Sequence, residues 1–181
     1  MSPPTFRTAR LRLRRQRVAD AEAIFAMDSD PRVMRYIREP ETDREAFMAS
    51  YREWVAGQPA REPWGMWAME RQSDGEVLGW VFLMPLGGDE PVPGEDDIEI
   101  GYRLRFEAWG QGYATEASRK ILAHALDELA LERVVAVIHP ENAASRNVLR
   151  KLGLIRRGLK FAYGADLPYF VIERHEWQEV S

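Results

Sequence analysis

As an ordered pattern of elements, the sequence predicts a mixed sheet with helices on its faces, an α/β or α+β domain. Three observations predict it. TARLRLR, Thr8 to Arg14, alternates apolar and charged residues with the period of a half-buried strand. WGMWAME and EVLGWVFLM flank SDG, a tight-turn signal, and read as an antiparallel hairpin. IEIGYRL (Ile98–Leu104) and the continuous apolar run VVAVI (Val134–Ile138) bracket a helix, and the second run has the composition of a buried parallel strand.

Between the first strand and the hairpin the pattern turns helical. Asp20 can cap a helix through AEAIFAM, and Asp30-Pro31 starts a shorter one through VMRYI, because proline suits a first helical turn. Thr42 and Glu45 have capping-box spacing, and the helix they open carries Phe47, Met48, Tyr51, Trp54 and Val55 on one face before stopping near Gly57. After the hairpin, PLGGDEPVPGEDD (Pro85–Asp97) is a loop, too short for an inter-domain linker. A helix from about Thr115 to Leu131 places Ala117, Ile121, Ala125 and Leu129 on one stripe. A last helix, ASRNVLRKL, ends at Gly153 in a left-handed cap, and LIRRGLKFAY to YFVIERHEW closes the chain as a pair of strands.

The length of 181 residues fits one domain, 1–181, large enough for its own core. No apolar run reaches the roughly 18 residues of a membrane span, and MSPPTFRTARLRLRR has no apolar segment behind its arginines, so the expected compartment is the cytoplasm. With no cysteine and with His124, His139 and His175 scattered, no metal site is expected. A net charge of −4 argues against nucleic acid as a partner. The arginines at 7, 10, 12, 14, 15 and 17 read as the solvent face and turn of the first strand.

WGQGYATEA, Trp109 to Ala117, places Gly110 and Gly112 between a strand and a helix. A helix start offers unpaired N–H groups and partial positive charge, and glycine lets the main chain approach a bulky anion. A phosphate is therefore expected. The dinucleotide fingerprint fails, because Thr115 stands where its third glycine should be, and no G-K-S/T triplet supports a Walker loop.

WGQGYATEA resembles the acyl-CoA-binding motif of the GNAT N-acetyltransferases, in the version of the RimJ/RimL-like branch. The resemblance extends to the TARLRLR start, SDPRVMRYI, EIGYRL, NAASRNVLRKLGL and the closing HEW, in order. It implies a mostly antiparallel central sheet of about six to seven strands with helices on both faces. It also implies acetyl-CoA as cosubstrate and an amine-bearing acceptor, with no metal, nucleic acid or membrane partner and a monomer or homodimer. Main chain around Tyr102, Leu104 and Arg105 would pair with the pantetheine arm. Amides of Gly110, Gln111, Gly112, Tyr113, Ala114 and Thr115 would hold the diphosphate. Asn142 would contact cofactor, cap the last helix, or both, and Asn147 would reach the cofactor. Trp109 replaces the glutamine or arginine that opens the general family motif, a mark of the branch.

The resemblance also suggests Glu99 as the base that neutralises the amine and Ser145 as the group assisting the thiolate. The tyrosine that many members carry in the last helix is replaced by Leu149, leaving Tyr163 and Tyr169 as candidates for the acid. Asp89, Glu90, Glu95, Asp96 and Asp97 read either as a solvated loop or as an attractor of a cationic amine. The acceptor is expected to be a protein N-terminal α-amine. Acetylation of a small amine, such as a polyamine, an amino acid or an antibiotic, and acyl-CoA binding without turnover are the alternatives.

Overall fold

The computed structural model describes residues 4–58, 62–87 and 96–180. Its strands are β1 (Phe6–Arg7), β2 (Leu11–Arg15), β3 (Gly65–Arg71), β4 (Val77–Pro85), β5 (Ile98–Leu104), β6 (Arg133–Val137), β7 (Ile155–Ala162) and β8 (Ala165–Glu173). The helices are α1 (Ala21–Asp28), α2 (Pro31–Met34), α3 (Arg44–Gly57), α4 (Tyr113–Ala123), α5 (Ala143–Leu152) and α6 (Arg174–Val180). They build one eight-stranded sheet in the order β1-β2-β3-β4-β5-β6-β8-β7. Every neighbouring pair is antiparallel except β5 and β6.

The sheet has eight strands against the six to seven expected, because Phe6–Arg7, just before TARLRLR, folds back on Leu11–Arg15 as a strand of its own. Thr8 turns the chain: its amide donates to the Leu11 carbonyl at 2.9 Å and its Oγ1 accepts from the Leu11 amide at 3.0 Å. This hydroxyl-assisted turn separates β1 from β2. Arg14 departs from the solvent-face expectation. It is 6% exposed and grips Asp20 through two 2.8 Å bonds and Glu70 through one of 2.6 Å. Asp20, expected as a helix cap, thus spends its carboxylate on Arg14 and on the Arg17 amide. The cap of α3 is Asp43, which accepts from the Ala46 amide at 3.0 Å, in place of Thr42.

Alternation along the strands feeds two cores, one on each face. Leu11, Leu13, Trp67, Met69, Leu83, Ile100 and Val134 pack with Ala117, Ile121 and Leu122 of α4 and Leu149 and Leu152 of α5. On the other face Trp80 joins Ile24, Met27, Val33, Met34 and Tyr51 of α1, α2 and α3. Helices therefore cover both faces, as expected.

The parallel seam positions the site. Antiparallel β4 pairs along the whole length of β5, from Gly79 opposite Leu104 to Pro85 opposite Ile98. Between β5 and β6 the ladder records only Glu99 opposite Val135. The strands part beyond that rung and open a cleft at the C-terminal end of β5, over the start of α4.

Candidate active site

The start of α4 lacks what the other long helices have. Asn142 caps α5 by accepting from the Ser145 amide at 3.0 Å, and Asp43 caps α3, but no side chain caps α4. Its N-cap is Gly112, and the first backbone bond of the turn is from the Glu116 amide to the Gly112 carbonyl at 3.0 Å. By helix geometry the amides before Glu116 have no intrahelical acceptor, and the helix dipole adds positive potential there. Gly110 and Gly112 sit at φ +73° and +82°, left-handed backbone that other residues adopt only with strain. A Cβ on Gly110 would meet nothing within 4 Å, so the turn faces open space. The cradle fits a diphosphate.

Two cavities flank the cleft. The first, about 340 Å³, is lined by Gly110, Gly112, Ala114 and Thr115 at the helix start and by Tyr102, Leu104, Asn142 and Asn147 on its walls. The second, about 530 Å³, runs past Glu99 over an aromatic floor of Trp80 and Phe82. They share Tyr36, Ile37, Tyr102, Arg103, Asn142 and Ser145. The Tyr102 phenol crosses the shared region and donates to the Ser145 carbonyl at 3.1 Å. Burial holds that phenol well above the ordinary tyrosine range, so it stays protonated.

Glu99 is 4% exposed and lies where β5 and β6 keep their rung. Burial pushes its carboxyl up to about 7, against two opposing influences. The Tyr163 phenol donates to Oε2 at 2.6 Å, and the Val137 amide also favours the charged form. A carboxyl balanced near neutrality can take up and release a proton under working conditions. Tyr163 reaches it from the loop between β7 and β8, where Tyr163 and Gly164 have φ of +52° and +79°. Two positive-φ residues are what a tight type I′ hairpin demands, and a tyrosine there costs about 1–2 kcal/mol. A bond to a charged acceptor contributes about 1.5–3 kcal/mol, enough to offset it.

Not every residue singled out in the sequence meets here. Arg105 donates its amide to the Leu78 carbonyl at 2.9 Å and pairs its side chain with Glu76, outside both cavities. The Leu104 carbonyl is taken by Trp109 Nε1 at 2.8 Å. The Tyr113 ring is buried beneath the Arg10 guanidinium, and the Gln111 side chain bonds back to the Glu107 carbonyl at 2.8 Å. Tyr169 donates to Asp97 at 2.6 Å, away from the cleft. Asp97 itself is a buried anchor, with Arg133 at 2.7 Å and Lys160 at 3.5 Å, and so does not behave as solvated loop. Asp89, Glu90 and Glu95 lie outside the described residues.

The sequence profile described as "Acetyltransferase (GNAT) domain" matches residues 10–155. The chain belongs to the GNAT acetyltransferases. Among curated relatives it is 30% identical to the uncharacterized N-acetyltransferase YoaA of Bacillus subtilis, over 92% of each chain. It is 33% identical to the FsC-acetyl coenzyme A-N(2)-transacetylase of Aspergillus fumigatus over 83% of this chain, spanning 65% of the fungal protein. Its fold matches Mycobacterium smegmatis RimJ in complex with CoA-disulfide with a TM-score of 0.72, covering 99% of this chain and 97% of that one, at 22% identity. This GNAT chain is thus an acyl-CoA-dependent acetyltransferase, and an amine is its acceptor. Among the described residues no cluster of three or more metal-ligating side chains occurs, and no helix is long and apolar enough to cross a membrane.

Several cleft residues of this GNAT domain were not singled out in the sequence. His139, set aside in the sequence as one of three scattered histidines, stacks on Tyr36 with ring centroids 5.0 Å apart, and both line the second cavity. Trp80 and Phe82 looked like ordinary strand residues. Lys151 and Val148 line the first cavity, and their helical spacing from Ala144 and Asn147 on α5 could have placed them on one face.

Proposed function

We propose that residues 1–181 form a single domain that moves the acetyl group of acetyl-CoA onto a protein N-terminal α-amine, in the manner of the RimJ/RimL-like branch. The observation that carries this reading is the meeting of the two cavities at Tyr102, Asn142 and Ser145, with Glu99 in the wall of the second. A cofactor whose diphosphate rests on the uncapped start of α4 directs its far end to that junction. Acetyl-CoA supplies the activated acyl carbon.

The protein's own groups do the rest. An α-amine titrates near 8 and is mostly charged at neutral pH. Glu99 takes the ammonium proton first, which frees the nitrogen lone pair to attack the thioester carbon, and Tyr163 keeps the carboxylate aimed. An amide at the end of β5 donates to the developing oxyanion. The Ser145 hydroxyl assists the departing sulfur, beside the protonated Tyr102 phenol. Leu149, where many relatives of the fold carry a tyrosine, is buried and supplies no proton.

Acetylation of a small amine is the second reading. The aromatic Trp80–Phe82 floor favours it, with ring centroids 5.8 Å apart, as does the likeness to a transacetylase named for an N2 position. The test is release of CoA thiol across a panel of N-terminal peptides and small amines. Turnover of peptides alone supports the first reading, and turnover of small amines alone supports the second. CoA protection against unfolding with no transfer to any amine would leave a binding module.

A further inference from the structure

The described structure bolts the N-terminal turn to the glycine loop through one side chain. Arg10, between β1 and β2, donates from Nη1 to the Gln111 carbonyl at 2.9 Å. We propose that Arg10 is a positioning residue for cofactor binding: it fixes the Gln111–Gly112 peptide so that the Gly112 amide faces the cofactor cavity. The inference rests on reading Gly110–Thr115 as the diphosphate loop.

The argument is geometric. A trans peptide is planar, and its C=O and N–H point in opposite directions. With the Gln111 oxygen held on the Arg10 side, the Gly112 N–H is turned away from it, and Gly112 lines the cavity. Glycine gives the backbone little preference of its own, and this peptide runs into the left-handed Gly112 one residue after the left-handed Gly110. Something outside the loop has to choose its orientation.

Arg10 is held rigidly enough to make that choice. Its Nε donates to Glu116 Oε2 at 2.7 Å and its amide to Glu116 Oε1 at 2.8 Å, while Thr8 Oγ1 donates to Oε1 at 2.6 Å. The guanidinium lies 4.3 Å from the centre of the Tyr113 ring. Glu116 sits in the first turn of α4, where an unpaired carboxylate would repel a bound anion. Pairing with Arg10 removes that opposition and ties the strand turn to the helix.

Position and charge are separable. Lysine keeps the charge but lacks the planar fork that bonds a carboxylate and a carbonyl together. The experiment is calorimetric titration of CoA into the wild type, Arg10→Lys, Arg10→Ala and Glu116→Gln, with amide hydrogen exchange at Gly112 under saturating CoA. The expected result is an affinity loss of about tenfold or more in both Arg10 variants and a smaller loss in Glu116→Gln. Protection of the Gly112 amide by CoA should be clear in the wild type and weakened in the Arg10 variants. An Arg10→Lys protein that binds within about twofold of wild type overturns the inference in favour of simple charge. Undiminished Gly112 protection in saturated Arg10→Ala overturns it as well. If Arg10→Ala fails to fold, Arg10→Lys and Glu116→Gln carry the test. Absence of CoA binding by the wild type would instead remove the diphosphate-loop reading.

Discussion

The Tyr163 phenol donates to Glu99 Oε2 across 2.6 Å, joining the β7–β8 loop to the middle of the sheet. The bond favours the ionised carboxylate, whereas burial favours the neutral acid. Replacing Tyr163 by Phe removes the stabilising donor and leaves the burial. The acid limb of the pH–rate profile should move upward by about one unit, with the alkaline plateau largely retained. A profile unchanged in Tyr163→Phe would separate the phenol from the base.

Glu99 also links folding to pH. Its carboxyl is raised from 4.5 to about 7 in the folded chain, so the folded state binds more protons than the unfolded one between those values. The contribution is fully present below about 4.5 and is lost as pH rises through about 7. Glu99→Gln carries no such dependence. Measured by thermal or urea unfolding, its stability relative to wild type should improve over that window, by up to about 3 kcal/mol. Turnover should fall more at neutral pH than at high pH, where the amine loses its proton unaided.

Gly112→Glu should abolish CoA binding while leaving the fold largely in place. The left-handed φ of +82° costs about 1–2 kcal/mol with any side chain, but only the Arg10 guanidinium lies near, at 3.5 Å from the added Cβ. The new carboxylate would set a negative charge in the proposed diphosphate loop and contest the hold of Arg10 on the Gln111 carbonyl. Calorimetry with CoA, alongside circular dichroism of the same sample, reads both halves of the expectation.

Gly79→Ala tests packing behind the cleft. A Cβ at Gly79 would lie 2.1 Å from the Arg103 carbonyl oxygen and 2.7 Å from Leu104 Cα, both backbone atoms of β5. Neither can yield without parting β4 from β5, so a loss of at least about 2 kcal/mol is expected in denaturant unfolding. Gly75→Ala is the control, since its added Cβ meets nothing within 4 Å although its φ of +76° is also left-handed.

Much of this arrangement was legible in the sequence, and the reasons differ by residue. IEIGYRL runs as β5 from Ile98 to Leu104, and Gly153 ends α5 at φ +88°, because alternation and a left-handed cap are local properties. The two-glycine turn announced the open start of α4 for the same reason. Long-range partners were not legible. Nothing in TARLRLR shows that Arg14 is buried against Asp20 and Glu70, or that Arg10 reaches Gln111. Tyr163 and Tyr169 were equal candidates in the chain, and only the β7–β8 register separates them, sending one phenol to Glu99 and the other to Asp97. Thr42 lost the cap to its neighbour Asp43 for want of one residue of phase.

The lone rung joining Glu99 to Val135 puts the residue proposed as proton acceptor at the pivot between the two halves of the sheet. Any scissoring of the two sheet halves, as a thiol-bearing chain enters or leaves, turns about the backbone that carries this carboxylate. The acceptor nitrogen would therefore meet a base whose distance from the axis of motion is as short as the architecture allows, so that breathing of the blades disturbs its aim least.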